Sequence, residues 1–218
     1  MTQQDLDAVF AELVTRTRVA LERSFGVPAP PVVPITDADL DAAESHRAGP
    51  FPPDLRAFYK AAGSGTFAFF YVVGPDDPAD YDEYVFESID QFFAEGLDDE
   101  GTGIVLGDPP TQPALVFGED PGGGIFFVYE LTGEHAGRIV SCNFRFDVSR
   151  VAWPAASSLE AFVRCVAELA EAGHLVHLPE QPFATLPDPR RWWEPDTSRD
   201  ILNRNHCTGA LYLSPEFD

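Results

Sequence analysis

The chain has 218 residues, of which 14 are Lys or Arg and 36 are Asp or Glu, for a formal charge of −22 and a pI near 4.3. That balance excludes a bulk surface that grips nucleic acid, because phosphate binding works through Lys and Arg releasing counterions. With 44% hydrophobic and 12% aromatic residues the chain is also unlike an acidic disordered segment, and its length suits one large domain or a domain with an extension.

The opening segment spaces Leu6, Val9, Phe10, Leu13, Val14, Thr17, Ala20 and Leu21 three and four residues apart, the stripe of a helix with one buried face. Asp5, Asp7 and Glu12 interrupt any apolar leader and no cationic stretch precedes them, so a helix of the fold is expected here rather than a signal peptide. Gly26 and the prolines of VPAPPVVP end it. Thr36, with Asp39 three positions on, predicts the cap of a short second helix through Leu40 and Ala43. Pro53 opens a third through Leu55, Phe58 and Tyr59 to a stop at Gly63, with the turn Gly49–Pro52 between the two.

After Gly65 the character changes. TFAFFYVVG, Thr66–Gly74, is rich in β-branched and aromatic residues and is closed by Gly74-Pro75, which predicts a strand. It is the longest apolar run, well short of the roughly 18 residues a membrane span needs. A loop is expected next, then a helix over Phe86–Phe93 with Ser88 as an alternative cap. Strands are predicted over Gly103–Leu106, Ala114–Phe117, Ile125–Leu131 and Arg138–Phe144, at spacings that favour antiparallel hairpins. A last helix runs from a cap at Ser157 or Ser158 through Leu159, Phe162, Val163, Val166 and Leu169 to Gly173.

The predicted class is therefore α+β, with helices flanking a mainly antiparallel sheet. It divides into an N-terminal helix packed on the domain (1–30), the α+β domain (31–175) and a C-terminal extension (176–218). The extension holds Pro179, Pro182, Pro187, Pro189, Pro195 and Pro215 together with Trp192 and Trp193. So many large apolar groups predict a segment that packs on the domain or on a partner.

Chemistry-bearing motifs are weak throughout. Cys142, Cys165 and Cys207 are odd in number and scattered, without a CxxC, which points to a reducing compartment and a cytoplasmic protein. His174, His177, His206 and Cys207 lack the compact spacing of a zinc set and read as ordinary packed or surface residues. DDPADYDE, from Asp76 to Glu83, lacks the central Gly and closing Glu of a calcium loop. Gly122-Gly123-Gly124 opens a strand without a Lys-Ser/Thr, so a hairpin turn explains it better than a phosphate cradle. There is no GxSxG, and Gly63-Ser64-Gly65 supplies a helix stop and a turn. No catalytic set, cofactor or metal site is expected, and the chain is not read as an enzyme.

The sharpest feature is electrostatic. No Lys or Arg stands between Lys60 and Arg138, while acids recur from Asp76 to Glu134. Such a stretch either steers and holds a basic partner or serves as a solubilising face. Carboxylates so numerous and polar in their surroundings lack the apolar setting that tunes an acid–base pair. Trp192-Trp193, behind Arg190-Arg191, reads either as a partner anchor or as a cover over the chain's own core.

The order of motifs resembles the SUKH superfamily, the Smi/Knr-type domains of bacterial immunity proteins and a fungal cell-wall regulator. The residues that carry the resemblance are Ile35-Thr36, Glu44, Phe51-Pro52-Pro53-Asp54-Leu55-Arg56-Ala57-Phe58-Tyr59 and Gly63-Ser64-Gly65. Further on they are Leu115-Val116-Phe117-Gly118, Gly123-Gly124-Ile125-Phe126-Phe127-Val128-Tyr129, Arg138-Ile139-Val140 and Ser158-Leu159-Glu160-Ala161-Phe162. Together they span Ile35–Gly173. The usual Asn-Gly-Gly is here Ala62-Gly63-Ser64-Gly65, and the N-terminal helix and the tail lie outside the pattern.

The resemblance implies a noncatalytic binding scaffold that neutralises a cognate toxin, often one that acts on nucleic acid. The charge argument agrees, since such toxins tend to be basic. The expected contacts are Asp76, Asp77, Asp80, Asp82, Glu83, Asp98, Asp99 and Glu100, with Phe70, Tyr81, Tyr84 and Trp192 as apolar anchors. The alternative is an intracellular regulatory scaffold with no toxin partner. Neither reading involves direct contact with nucleic acid or a membrane.

Overall fold

Three helices begin on side-chain caps that the sequence supplies, and another begins at a proline. In the computed structural model, which describes residues 1–25, 32–47, 50–71, 81–86, 104–106, 112–120, 125–143, 151–173 and 195–208, α1 (Gln3–Phe25) starts on a reciprocal box. The Thr2 hydroxyl accepts from the Asp5 amide while the Asp5 carboxylate accepts from the Thr2 amide at 2.8 Å. The same device, Thr36 with Asp39, opens α2 (Asp37–Arg47). Pro53 is the first residue of α3 (Pro53–Ala62), and Gly63 ends it with its amide on the Tyr59 carbonyl at φ 72°. Of the two serines considered, Ser158 caps α4 (Leu159–Glu171), accepting from the Ala161 amide at 3.1 Å.

The strands are β1 (Gly65–Tyr71), β2 (Tyr81–Phe86), β3 (Ile104–Leu106), β4 (Gln112–Asp120), β5 (Ile125–Glu130), β6 (Ile139–Asn143) and β7 (Val151–Ala156). They form one antiparallel sheet in the order β1-β2-β4-β5-β6-β7, with β3 pairing the opening residues of β4 and β2 reaching it near Glu119. The class is α+β, as the motif order implied.

Helices α1, α3 and α4 pack together over the sheet, and their shared core is aromatic. Phe58 of α3 lies 6.1 Å from Phe10 of α1 and 5.4 Å from Phe67 of β1, while Phe162 of α4 lies 5.7 Å from Phe117 and 5.1 Å from Phe127. Val116, Val128 and Val140 sit side by side across β4, β5 and β6 and are buried as well, though outside that cluster. Burial on both faces is why these strands read as continuous apolar runs rather than alternating ones.

Two expectations change. The stretch expected to be a loop before Phe86 contains β2, a strand whose acids conceal the alternation but whose partner β1 supplies a ladder from Gly65↔Phe86 to Tyr71↔Tyr81, broken by one bulge between Thr66 and Ala68. Strand β7 was not anticipated, because Trp153-Pro154 interrupts it; there Pro154 stands opposite Val140 of β6. The helix expected over Phe86–Phe93 lies outside the described residues apart from Phe86, which closes β2.

The end of the described chain returns to the core. Helix α5 (Pro195–Arg204) places Ile201 and Leu202 in the buried cluster, and Cys207 then pairs as an antiparallel bridge with Ala156 of β7. No helix among the described residues is long and apolar enough to cross a membrane.

Candidate partner-binding surface

Of the residues expected to meet a partner, Tyr81, Asp82, Glu83 and Tyr84 are consecutive in β2, opposite Tyr71, Phe70, Phe69 and Ala68 of β1. Phe70 thus stands across from Asp82 on the neighbouring strand. Asp76, Asp77, Asp80, Asp98, Asp99, Glu100 and Trp192 lie outside the described residues, as do His174 and His177. Of the imagined zinc set, His206 is exposed while Cys207 is buried.

Among the described residues, six cations are held by the chain's own carboxylates. Arg56 is the hub, bonding Glu44 at 2.8 Å, Asp41 at 3.0 Å and Asp37 at 3.2 Å. Burial works against its charge, but the hydrogen bonds to Glu44, Asp41 and Asp37 outweigh that and raise its pKa. Lys60, one turn further along α3, bonds Asp7 at 2.9 Å and Asp37 at 3.3 Å. Elsewhere Arg16 pairs with Glu171, Arg138 with Glu130, Arg164 with Glu160 and Arg204 with Glu168. Arg18 donates to the Ala62 carbonyl at the end of α3.

The mesh joining α1, α2 and α3 is acid-rich even after pairing. Asp7, Asp37, Asp41 and Glu44 contribute −4 and Arg56 and Lys60 +2, leaving −2, with the Asp37 and Asp41 side chains 63% and 69% exposed. Sequence reasoning did not bring these residues together. The signal was present in their spacing: Asp37, Asp41 and Glu44 fall on one helix face at intervals of four and three, and Arg56 and Lys60 are four apart on the next helix.

The residues that carried the resemblance mostly hold the fold in place. Glu44 accepts the Phe51 amide at 2.8 Å as well as the Arg56 guanidinium, so it joins α2 to the entry of α3. Asp54 takes the Tyr129 hydroxyl of β5 on both carboxylate oxygens, at 3.1 and 3.2 Å, tying α3 to the sheet. Burial raises the Asp54 pKa against the opposing pull of that bond, and burial together with the Asp54 charge raises that of Tyr129. At Gly63 a side chain has no room: a Cβ would stand 2.7 Å from the Val33 carbonyl oxygen, which accepts the Ser64 amide.

A family model described as the SMI1 / KNR4 family (SUKH-1) matches residues 34–164, more than half of the chain. Among curated proteins none matches. The matched span runs from just before α2 into α4 and contains the Glu44, Asp54 and Gly63 motifs, leaving all of α1 and all of α5 outside it. With that span and these motifs in one antiparallel α+β fold, the chain belongs to the SMI1 / KNR4 family (SUKH-1).

Proposed function

We propose that this protein is a noncatalytic, cytoplasmic immunity protein that binds a cognate basic toxin and neutralises it by covering its cationic cleft. The observation that carries this reading is the disposal of charge. Arg16, Arg56, Lys60, Arg138, Arg164 and Arg204 are each engaged by a carboxylate of the same chain, so their surface offers little to an outside anion, while the chain as a whole carries a formal charge of −22. A surface of that kind accelerates encounter with a basic protein and repels the nucleic acid such a toxin acts on. Family membership supports a binding role.

The contact surface in this reading is the acidic stretch around Asp76, Asp77, Asp80, Asp82, Glu83, Asp98, Asp99 and Glu100, with Tyr81, Tyr84 and Trp192 as anchors. Aromatic groups supply the desolvated centre of an interface and charges its rim. The test is affinity capture on the tagged full chain from the native cell at low and high salt, with mass spectrometry of the eluate. One basic protein, retained at low salt and weakened at high salt, is expected, and its activity should fall on adding the chain. Several neutral proteins held equally at both salts would favour the regulatory scaffold and make the acidic surface a solubilising one.

A further inference from the structure

Two thiols from distant parts of the chain meet in the core. Cys165 lies on the buried face of α4, Cys207 follows α5, and neither is in a disulfide. The Cys207 amide bonds the Leu202 carbonyl at 2.9 Å and the residue bridges to Ala156, which fixes its side chain over α4. Its Sγ is 3.6 Å from the carbonyl oxygen of Ala161, one turn before Cys165, which sets the two buried thiols beside each other.

We propose that Cys165 and Cys207 are a dithiol modification site, closing to an intramolecular disulfide that locks residues 195–208 onto α4 and the β7 edge. The co-reactant is a small-molecule disulfide. One thiolate attacks it and releases a thiol, and the second attacks the resulting mixed disulfide and releases another. In balance, two S–H bonds break and one S–S bond forms, with two electrons and two protons leaving on the two released thiols.

Docking protects the pair. The neighbouring Cys207 thiol, and then burial, raise the Cys165 pKa, so a reactive thiolate arises when the segment lifts. The polar contacts that resist lifting lie near the surface: Arg204 and Asn205 on the Glu168 carboxylate at 2.7 and 2.8 Å, the Ser157 amide on the His206 carbonyl, and the Thr208 amide on the Ala155 carbonyl. His206 itself sits at φ 55°, a left-handed conformation uncommon outside glycine that undocking would relieve. The site is independent of the immunity reading.

The test treats the full chain with oxidised glutathione, traps free thiols with N-ethylmaleimide and maps the peptides. A single cross-linked peptide joining Cys165 to Cys207 is expected, reversed by dithiothreitol, with Tm raised by roughly 5 °C or more. Glu168→Ala, which removes the acceptor of Arg204 and Asn205, should form it several-fold faster, and Cys207→Ser should show no rise in Tm. The proposal fails if both thiols stay reduced under conditions that cross-link the urea-unfolded chain, or if glutathione adducts or a bond to Cys142 are the end product. It fails equally if the oxidised protein melts no higher, or if Cys207→Ser gains as much.

Discussion

Phe117 meets Phe58 edge to face, with ring centroids 6.2 Å apart and planes at 88°, at the place where β4 carries one residue more than its partner strand. Val116 pairs with Val128 and Gly118 with Phe127, so Phe117 is the extra residue. Phe67 is likewise the residue that β1 has in excess of β2, and Ala155 the one β7 has in excess of β6. All three are buried in the helix-packed core. A bulge re-aims a side chain, and here three of them add residues to the face the helices cover.

Truncating this junction should therefore cost more than an ordinary strand position. Phe117→Ala removes a ring that also touches Phe127 and Phe162, and is expected to destabilise the fold by about 3–5 kcal/mol in urea unfolding. Phe58→Ala should cost a similar amount. The double variant should lose less than the two losses added, because both vacate one shared space. Full additivity would show that the two rings are stabilised separately.

Gly63 makes a sharper demand. Its φ of 72° is left-handed, and a Cβ would come within 2.7 Å of the Val33 carbonyl, part of the two-bond bridge with Ser64. Gly63→Ala is expected to lose at least about 2 kcal/mol, conformational strain and the displaced bridge together. Val33→Ala, with its side chain mostly exposed, should be nearly silent by the same assay, which separates the backbone effect from side-chain packing.

Local chemistry made much of this fold legible. Thr36 with Asp39, Gly63 and Ser158 mark helix ends through hydrogen bonds made within a few residues, and Pro53 through its fixed φ, so the sequence carries them directly. Thr2 with Asp5 is the same signal at the start of α1. What resisted reading depends on partners far along the chain. Tyr81-Asp82-Glu83-Tyr84 is a strand only because β1 lies beside it, Asp54 meets Tyr129 across the core, and Arg56 gathers acids from another helix. The acidic excess was plain from composition, whereas the internal use of the cations needed the packing of α1, α2 and α3.

The Asp54 contact predicts a pH dependence with a definite sign. Its pKa is raised in the folded state from an ordinary 3.8, burial being the main cause. A raised carboxyl contributes stability fully below its unfolded pKa, and that contribution is lost as pH climbs through the higher folded value. Asp54→Asn keeps an acceptor for the Tyr129 hydroxyl but cannot ionise. The stability of Asp54→Asn relative to the native chain should therefore increase as pH rises above about 3.8 and level off once Asp54 is ionised in both states. Urea unfolding of both chains at low protein concentration across that range measures it, and a flat or falling difference would contradict the burial argument.

If the acidic stretch steers a basic partner, its charges act before contact is made. Replacing Asp76, Asp77, Asp80 and Asp82 together by Lys changes the formal charge by +8 and should slow association about ten-fold or more at low salt, with a smaller effect on dissociation. The slope of association rate against ionic strength should flatten in the same variant, because the Debye length of about 10 Å at 0.1 M salt already screens what remains. Tyr81→Ala and Tyr84→Ala should do the reverse, leaving the encounter rate nearly intact and speeding dissociation, as expected for anchors in a desolvated centre. Stopped-flow association and dissociation with the captured partner separate the two classes, and a charge variant that binds as fast as the native chain at every salt would leave the acidic stretch with solubility as its role.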